Sequence, residues 1–427
     1  MATDSRNDRT LASRAIAQPR LSAGRTSHGT RLCLAGAIVA LAIAGCSGAA
    51  ATATSPAGPT NAPSSGPSST PASTPAPTPT PAPVPKFSAT GTMTVARMFH
   101  TATLLSDGRV LIAAGGDATA DLYDPKTGTF SPTGSMSGLR SGATATLLSD
   151  GRVLIAGGSG ASAVLASAEL YDPKTGKFAA TGSMESPRSN ATAALLSDGR
   201  VLVVGGNDAL GATAHKSLAS AELYDSKTGK FTVAGSMKDG RQDHTASLLP
   251  DGRVLIAGGF TDSGSYIPLA SAELYDPSTD EFSATGSMTV AGAIQTATRL
   301  SDGRVLIVGG AGVVVQSQAT FVNPAELYDP KTGKFAATGS LKEGRTHATA
   351  TLLADGRVLV MGGDIQSGIL QSVESYDPAT GTFTAAGQMT VARFSQTATV
   401  LQDGRILIAG GRDRTGNPLA SAELCQP

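Results

Sequence analysis

Six arginines stand at one recurring position of this chain, Arg97, Arg140, Arg188, Arg241, Arg345 and Arg393, with Gly292 where a seventh would fall. A guanidinium keeps its charge at any physiological pH and presents a planar fork of donors that matches a carboxylate. Such a set could capture an acidic peptide or a carboxylate ligand. It could equally pair within the chain with the acids that recur in the same repeats, Asp121, Glu169, Glu222, Glu273, Glu326, Glu374 and Glu423. Near-uniform recurrence favours pairing, because a ligand rarely needs so many copies whereas a half-buried carboxylate does need a partner.

Three residues after each of these positions come His100, Ala143, Ala191, His244, Gln295, Ala348 and Gln396. Metal binding requires several ligands converging on one point. The two histidines belong to the first and fourth of seven repeats, nearly opposite in a ring. They are expected to be polar lining of a central channel, and neither a metal nor a cofactor is expected.

The elements that position these residues follow from a tandem repeat. Asp-Gly turns end at Gly108, Gly151, Gly199, Gly252, Gly303, Gly356 and Gly404, and each is followed by an apolar run ending in Gly-Gly. A regular period of this length marks an architecture in which no unit buries its apolar face alone. Each repeat reads as four strands. Strand A is the Thr/Ala-rich run before the turn, such as His100 to Leu105, and strand B is the Arg-Val-Leu-Ile-Ala-Gly-Gly run after it. Asp-Gly between two such runs predicts a hairpin with positive φ at both turn residues. Strand C carries Tyr123, Tyr171, Tyr224, Tyr275, Tyr328 or Tyr376, and strand D carries Phe87, Phe130, Phe178, Phe231, Phe282, Phe335 or Phe383 with a glycine four residues on. The first strand D, Lys86 to Met93, precedes any strand A, and the last strand C, Ser421 to Cys425, has no D after it. The two ends complete each other, which predicts a closed, all-β, seven-bladed propeller of four-stranded blades over residues 86–427.

Strand direction alternates, so A–B and C–D turns share one face and B–C and D–A connections share the other. The first face carries near-identical turns and reads as structural. On the second, the B–C segments vary in length and composition, the usual property of binding loops on a rigid scaffold. They hold Asn207, Asp208, His215 and Lys216 in blade three, Asp262 and Tyr266 in blade four, Gln316, Gln318 and Phe321 in blade five, and Arg412, Asp413, Arg414 and Asn417 in blade seven. With the six arginines, His100, His244, Gln295 and Gln396, these loops supply the candidate ligand-binding residues.

Arg-x-x-His before strand A, Gly-Gly ending strand B, Glu-x-Tyr-Asp in strand C and an aromatic in strand D together resemble the kelch repeat, across residues 86–427. Two departures stand out: phenylalanine replaces the usual strand D tryptophan, and Cys425 takes the tyrosine position in blade seven. The resemblance implies a non-catalytic module that binds protein or glycan through the B–C and D–A face. It also admits enzymes, since kelch-like propellers occur in galactose oxidase and in periplasmic sialic acid mutarotases. The copper site of the former needs two tyrosines, two histidines and a cysteine crosslinked to a tyrosine, and the body's single cysteine is Cys425. A mutarotase-type enzyme, needing only a few acid and base groups, and a structural envelope spacer remain the alternatives.

The rest of the chain addresses location. Residues 1–31 contain six arginines and residues 32–45 are apolar, too short to span a bilayer comfortably but fitting the core of a secretory signal. Leu41-Ala42-Ile43-Ala44-Gly45-Cys46 resembles a bacterial lipobox, with Cys46 the residue that receives lipid; ordinary cleavage after Ala44 would leave it a thiol and the protein secreted. Residues 46–85 carry no charge before Lys86 and are almost wholly Ala, Pro, Ser, Thr and Gly, a composition that cannot bury enough apolar surface to fold. The expected organisation is a signal peptide over 1–45, a tether over 46–85 and the propeller over 86–427, as an exported monomer lipid-anchored to the outer face of the cell membrane. Residues 1–85 hold six bases and two acids against 27 and 31 in the remainder, so the body is weakly acidic and offers no footprint for nucleic acid.

Overall fold

The computed structural model describes residues 84–210, 216–261, 267–315 and 318–427. Seven four-stranded antiparallel sheets form the blades of a propeller ring. Six run A-B-C-D in chain order, blade one being His100–Leu104, Val110–Ala114, Asp121–Asp124 and Thr129–Pro132. Blade seven takes its strands A, B and C from Thr397–Val400, Ile406–Ala409 and Leu419–Gln426, and its fourth from Lys86–Arg97. Phe87 lies opposite Cys425, and Ala89 opposite Glu423. The predicted closure is therefore present, and no blade is left with an unpaired strand C. Innermost strands A touch in ring order, with blade seven's against blade one's.

The alternation of strand B explains why a single blade cannot stand by itself. Val110 and Ile112 of blade one pack with Leu401, Leu407 and Ala409 of blade seven, while Leu111 and Ala113 pack with Val153 and Ile155 of blade two. The same division recurs at each blade boundary. Both faces of every sheet are thus core, which is why these strands read as continuous apolar runs.

The strand C tyrosines are fully buried, so each hydroxyl needs a partner. A threonine in the preceding blade's strand D supplies it: Thr133 to Tyr171, Thr181 to Tyr224, Thr285 to Tyr328 and Thr338 to Tyr376, at 2.8–2.9 Å, and Thr90 does so for Tyr123. Two blades lack the threonine, and both are compensated. Ala234 stands before Tyr275, whose hydroxyl instead donates to Asp280 at 2.8 Å, the residue that replaces the turn glycine. Ala386 stands before Cys425, and the two pack together in an apolar cluster with no hydroxyl to satisfy.

The A–B turn differs from expectation. Only the glycine takes positive φ, for example 89° at Gly108, while Asp107 does not. Gly108 N–H donates to the Leu105 carbonyl and Leu105 N–H to the Arg109 carbonyl, closing a three-residue loop rather than a two-residue one. The aspartate is needed for a different reason. Its carboxylate accepts the Arg109 N–H at 3.0 Å and the Arg109 guanidinium at 2.7 Å. The arginine then reaches the next blade's C–D turn, as Arg200 does to the Pro277 carbonyl and Arg405 to that of Pro125 across the closure, both at 2.8 Å.

Candidate ligand site on the loop face

The repeated arginines lie inside the blades. All six are at most 1% exposed. Each donates through one nitrogen to the carbonyl of the first Gly-Gly glycine, or of Ala114 in blade one: Arg188 to Gly205 at 3.0 Å, Arg241 to Gly258 and Arg393 to Gly410 at 2.9 Å. The other nitrogen meets the strand C acid: Arg97–Asp121 at 3.5 Å, Arg140–Glu169 at 3.0 Å, Arg188–Glu222 at 2.8 Å, Arg241–Glu273 at 3.0 Å, Arg345–Glu374 at 2.6 Å and Arg393–Glu423 at 3.0 Å. Burial pulls the Arg188, Arg241, Arg345 and Arg393 pKa values down and the paired carboxylates oppose it. Their terminal nitrogens bond within the blade, and in all but Arg345 the Nε is buried with no partner among the described residues, so the pairing reading is the one realised and the arginines do not present a basic ring to a ligand. What they do is tie the D–A joint entering each blade to the end of strand B and to strand C of that blade at the loop face.

Of the residues three positions later, His100, His244, Gln295 and Gln396 are also buried, between blades rather than along the axis. His100 Nε2 lies 3.0 Å from Thr397 Oγ1 of the preceding blade and His244 Nε2 lies 2.7 Å from Thr192 Oγ1. Gln396 Nε2 donates to the Met361 carbonyl at 2.9 Å and Gln295 Nε2 to that of Ala257 at 3.4 Å. Burial first, and the neighbouring arginines second, push both histidines down to about 3, so the imidazoles are neutral. The expectation of channel lining is corrected: the step from strand D to strand A turns these side chains into the blade boundary.

The side chains that face the axis belong to the residue just before, a position the sequence reading passed over. Phe99, Gly142, Asn190, Asp243, Ile294, His347 and Ser395 all adopt left-handed φ, between 50° and 63°. For Ile294 in particular this is strained backbone. The strain is offset by a chain of hydrogen bonds from blade to blade, in which Gly142 N–H donates to the Phe99 carbonyl, Asn190 to Gly142, Asp243 to Asn190, Ile294 to Asp243 and Ser395 to His347. Every copy has the same backbone, yet the seven side chains are unlike.

At blades one and six two of these side chains meet, and Phe394, next to Ser395 in blade seven, joins them. The Phe99 and His347 rings are 6.0 Å apart and edge-on, and His347 and Phe394 are 5.7 Å apart. Arg412, at the start of blade seven's B–C loop, places its guanidinium 5.8 Å over the Phe99 ring and contacts Met98 Sδ through Nε. Among the described residues it has no carboxylate partner. His347 Nδ1 lies 2.9 Å from Asp364 Oδ1, which also accepts from Thr346. Phe99 remains 37% exposed. The arrangement offers an aromatic surface, an unpaired cation and an imidazole held by a carboxylate at the centre of the loop face.

The other predicted loop residues mostly shape their own loops. Asp208 caps Lys216 N–H at 2.9 Å, Asn207 donates to the Ala209 carbonyl at 3.0 Å, and Asp413 accepts from Thr415 and Asn417. His215, Asp262, Tyr266 and Gln316 lie outside the described residues. Among the described residues no group of three or more His, Cys, Asp or Glu could hold a metal ion.

The ring and this face define a seven-bladed β-propeller. The Kelch motif matches residues 187–238 and 345–390, which fall on blades three and six. No curated protein sequence matches the chain. Among solved structures it is similar to a novel fungal alcohol oxidase of the AA5 family, in complex with copper, with a TM-score of 0.66 and 19% identity over 81% of this chain and 77% of that one. It is also similar to YjhT, with a TM-score of 0.56 and 15% identity over 69% of this chain and 99% of that one. At such identities the likeness concerns the fold.

Proposed function

We propose that the propeller is a recognition module that binds a carboxylate-bearing protein or glycan ligand over Phe99, His347, Phe394 and Arg412. The observation that carries this reading is Arg412. Each recurring arginine of the face is paired with an acid inside its blade, whereas Arg412, outside that set, lies half-buried over an exposed aromatic ring with no carboxylate partner among the described residues. An anionic group docking there gains a charge-assisted fork of hydrogen bonds, and an apolar or pyranose face stacks on Phe99. The copper chemistry of the alcohol oxidase does not carry over on these residues: Cys425, the single cysteine described, is buried against Ala386 and its thiol is pushed up to about 12.

A second reading has its own support. His347, oriented by Asp364 through Nδ1, leaves its other ring nitrogen without a partner among the described residues, the arrangement of a general acid or base. It fits a mutarotase-type activity on a carbohydrate. One experiment separates the two: the full chain is screened on glycan and peptide arrays beside Phe99→Ala, Arg412→Ala and His347→Gln. Recognition predicts at least about tenfold weaker binding in the first two with an unchanged melting temperature. Binding that survives in both removes the site from this face. Loss of turnover with retained binding in His347→Gln favours the enzyme.

Export and anchoring are proposed on the sequence alone, from the arginine-rich start, the apolar run and the lipobox-like segment ending at Cys46. Metabolic labelling with a fatty-acid analogue, lost in Cys46→Ser, is the expected result.

A further inference from the structure

Blade five lacks the arginine, and its consequences are confined to one small space. Gly292 takes the arginine position and Pro324 takes that of the serine, such as Ser220 or Ser271, whose hydroxyl accepts from the guanidinium elsewhere. The acid has not been lost with them. Glu326 is 4% exposed and accepts backbone N–H groups of Thr289 and Val290 at 2.9–3.1 Å, with no cation beside it among the described residues. A buried acid that meets only backbone donors and no counter-charge lacks the partner that its counterparts have in the other six blades.

A cavity remains where the guanidinium would lie, lined among others by Met288, Gly292, Gln295, Gly309, Pro324 and Glu326. Its free space for a water-sized centre is about 10 Å³, one small sphere rather than a guanidinium. Gln295, 8% exposed, leaves Oε1 buried without a partner, and that oxygen would lie 3.4 Å from a Cβ built on Gly292, on the path an arginine side chain would take. The Gly309 carbonyl corresponds to the Gly205 and Gly258 carbonyls that accept from Arg188 and Arg241. The donor set is thus oxygen-rich, contains a single carboxyl group and encloses a space the size of one water.

We propose that blade five holds a small monovalent cation, of the size of ammonium, potassium or sodium, on the Glu326 carboxylate, Gln295 Oε1 and the Gly309 carbonyl, replacing the guanidinium of the other six blades. A divalent ion is disfavoured by the single carboxylate, since hard divalent cations gather several charged oxygens. The site is independent of the recognition surface at Phe99 and Arg412.

The test is thermal melting of the full chain at matched ionic strength in chloride salts of sodium, potassium and ammonium against choline, which is too large for the cavity. At least one small cation is expected to raise the melting temperature by on the order of 2 °C, saturably. The Gly292→Arg variant carries its own cation, as Arg393 does beside Gln396 in blade seven, and is expected to melt at one temperature in all four salts. Equal melting of the parent in choline and in every small cation overturns the proposal, as does a response that persists in Gly292→Arg. Should that variant fail to fold, crystals of the parent soaked in thallium(I) decide: an anomalous peak beside Glu326 supports the site, and only water there overturns it.

Discussion

Arg152 and Arg188 both pair with a carboxylate, at 2.6 Å and 2.8 Å, on opposite faces of the same ring. Arg152 binds Asp150 two residues away in the A–B turn, with both side chains more than a third exposed, and reaches on to the Ser226 carbonyl of the next blade. Arg188 is sealed inside its blade and joins the D–A joint to strands B and C through Gly205, Ser220 and Glu222. Similar distances therefore conceal unlike energetics. In water the pair gains little beyond fixing a turn, whereas inside the blade both charges have lost their hydration and depend on one another.

Breaking the buried pair is the largest effect expected. Arg188→Ala leaves Glu222 buried with only the N–H groups of Glu185 and Ser186. Denaturant unfolding should show a loss of about 3–5 kcal/mol, and the double variant Arg188→Met, Glu222→Leu should recover most of it. A loss below about 1 kcal/mol in the single variant would place this arginine in the same energetic class as Arg152 and erase the contrast between the faces.

The buried histidines sharpen the comparison through pH. Their pKa is about 3 in the folded protein against an ordinary value of 6.5, so the unfolded chain takes up more protons between those limits. Stability is complete above pH 6.5 and falls as the pH drops toward 3, by about 2 kcal/mol for each imidazole on reaching pH 5. The aspartates of the turn face, held below the usual carboxylate range by their arginines, contribute only as the pH falls through about 4. Replacing His100 and His244 with glutamine, the residue that blades five and seven use at this register, should flatten the profile between pH 6.5 and 5. Melting curves across that interval check it, and an unchanged slope would mean that other buried groups govern the acid limit.

Blades, strand order and closure were legible because each rests on a pattern repeated many times: the apolar strand B, the Tyr–Phe register and the split blade. The site was less legible for a related reason. Recurrence drew attention to the arginines and to His100 and His244, and recurrence marks what the fold consumes. The mouth is built instead from Phe99 and His347, at a backbone position whose residue differs from blade to blade, beside Arg412 of a variable B–C loop. Nothing in residue type alone says that the left-handed residue faces the axis while its neighbour turns into the blade boundary. That depends on the hydrogen bonds linking Phe99, Gly142, Asn190 and Asp243 around the ring, which join residues more than 40 positions apart.

The smallest effect expected lies on the turn face. Arg152→Ala removes the exposed pair with Asp150 and the long contact to Ser226 at 3.4 Å, yet leaves the turn itself intact, because Gly151 keeps its positive φ and its bond to the Leu148 carbonyl. The loss should be about 0.2–1 kcal/mol and should shrink as salt is added, since the pair is open to solvent. Arg188→Ala should be nearly indifferent to salt. Measuring both variants at low and high ionic strength therefore tests the comparison by a route other than magnitude: equal salt dependence would show that solvent reaches the blade interior, and a strong response confined to Arg152 would show that burial separates the two sets of arginines.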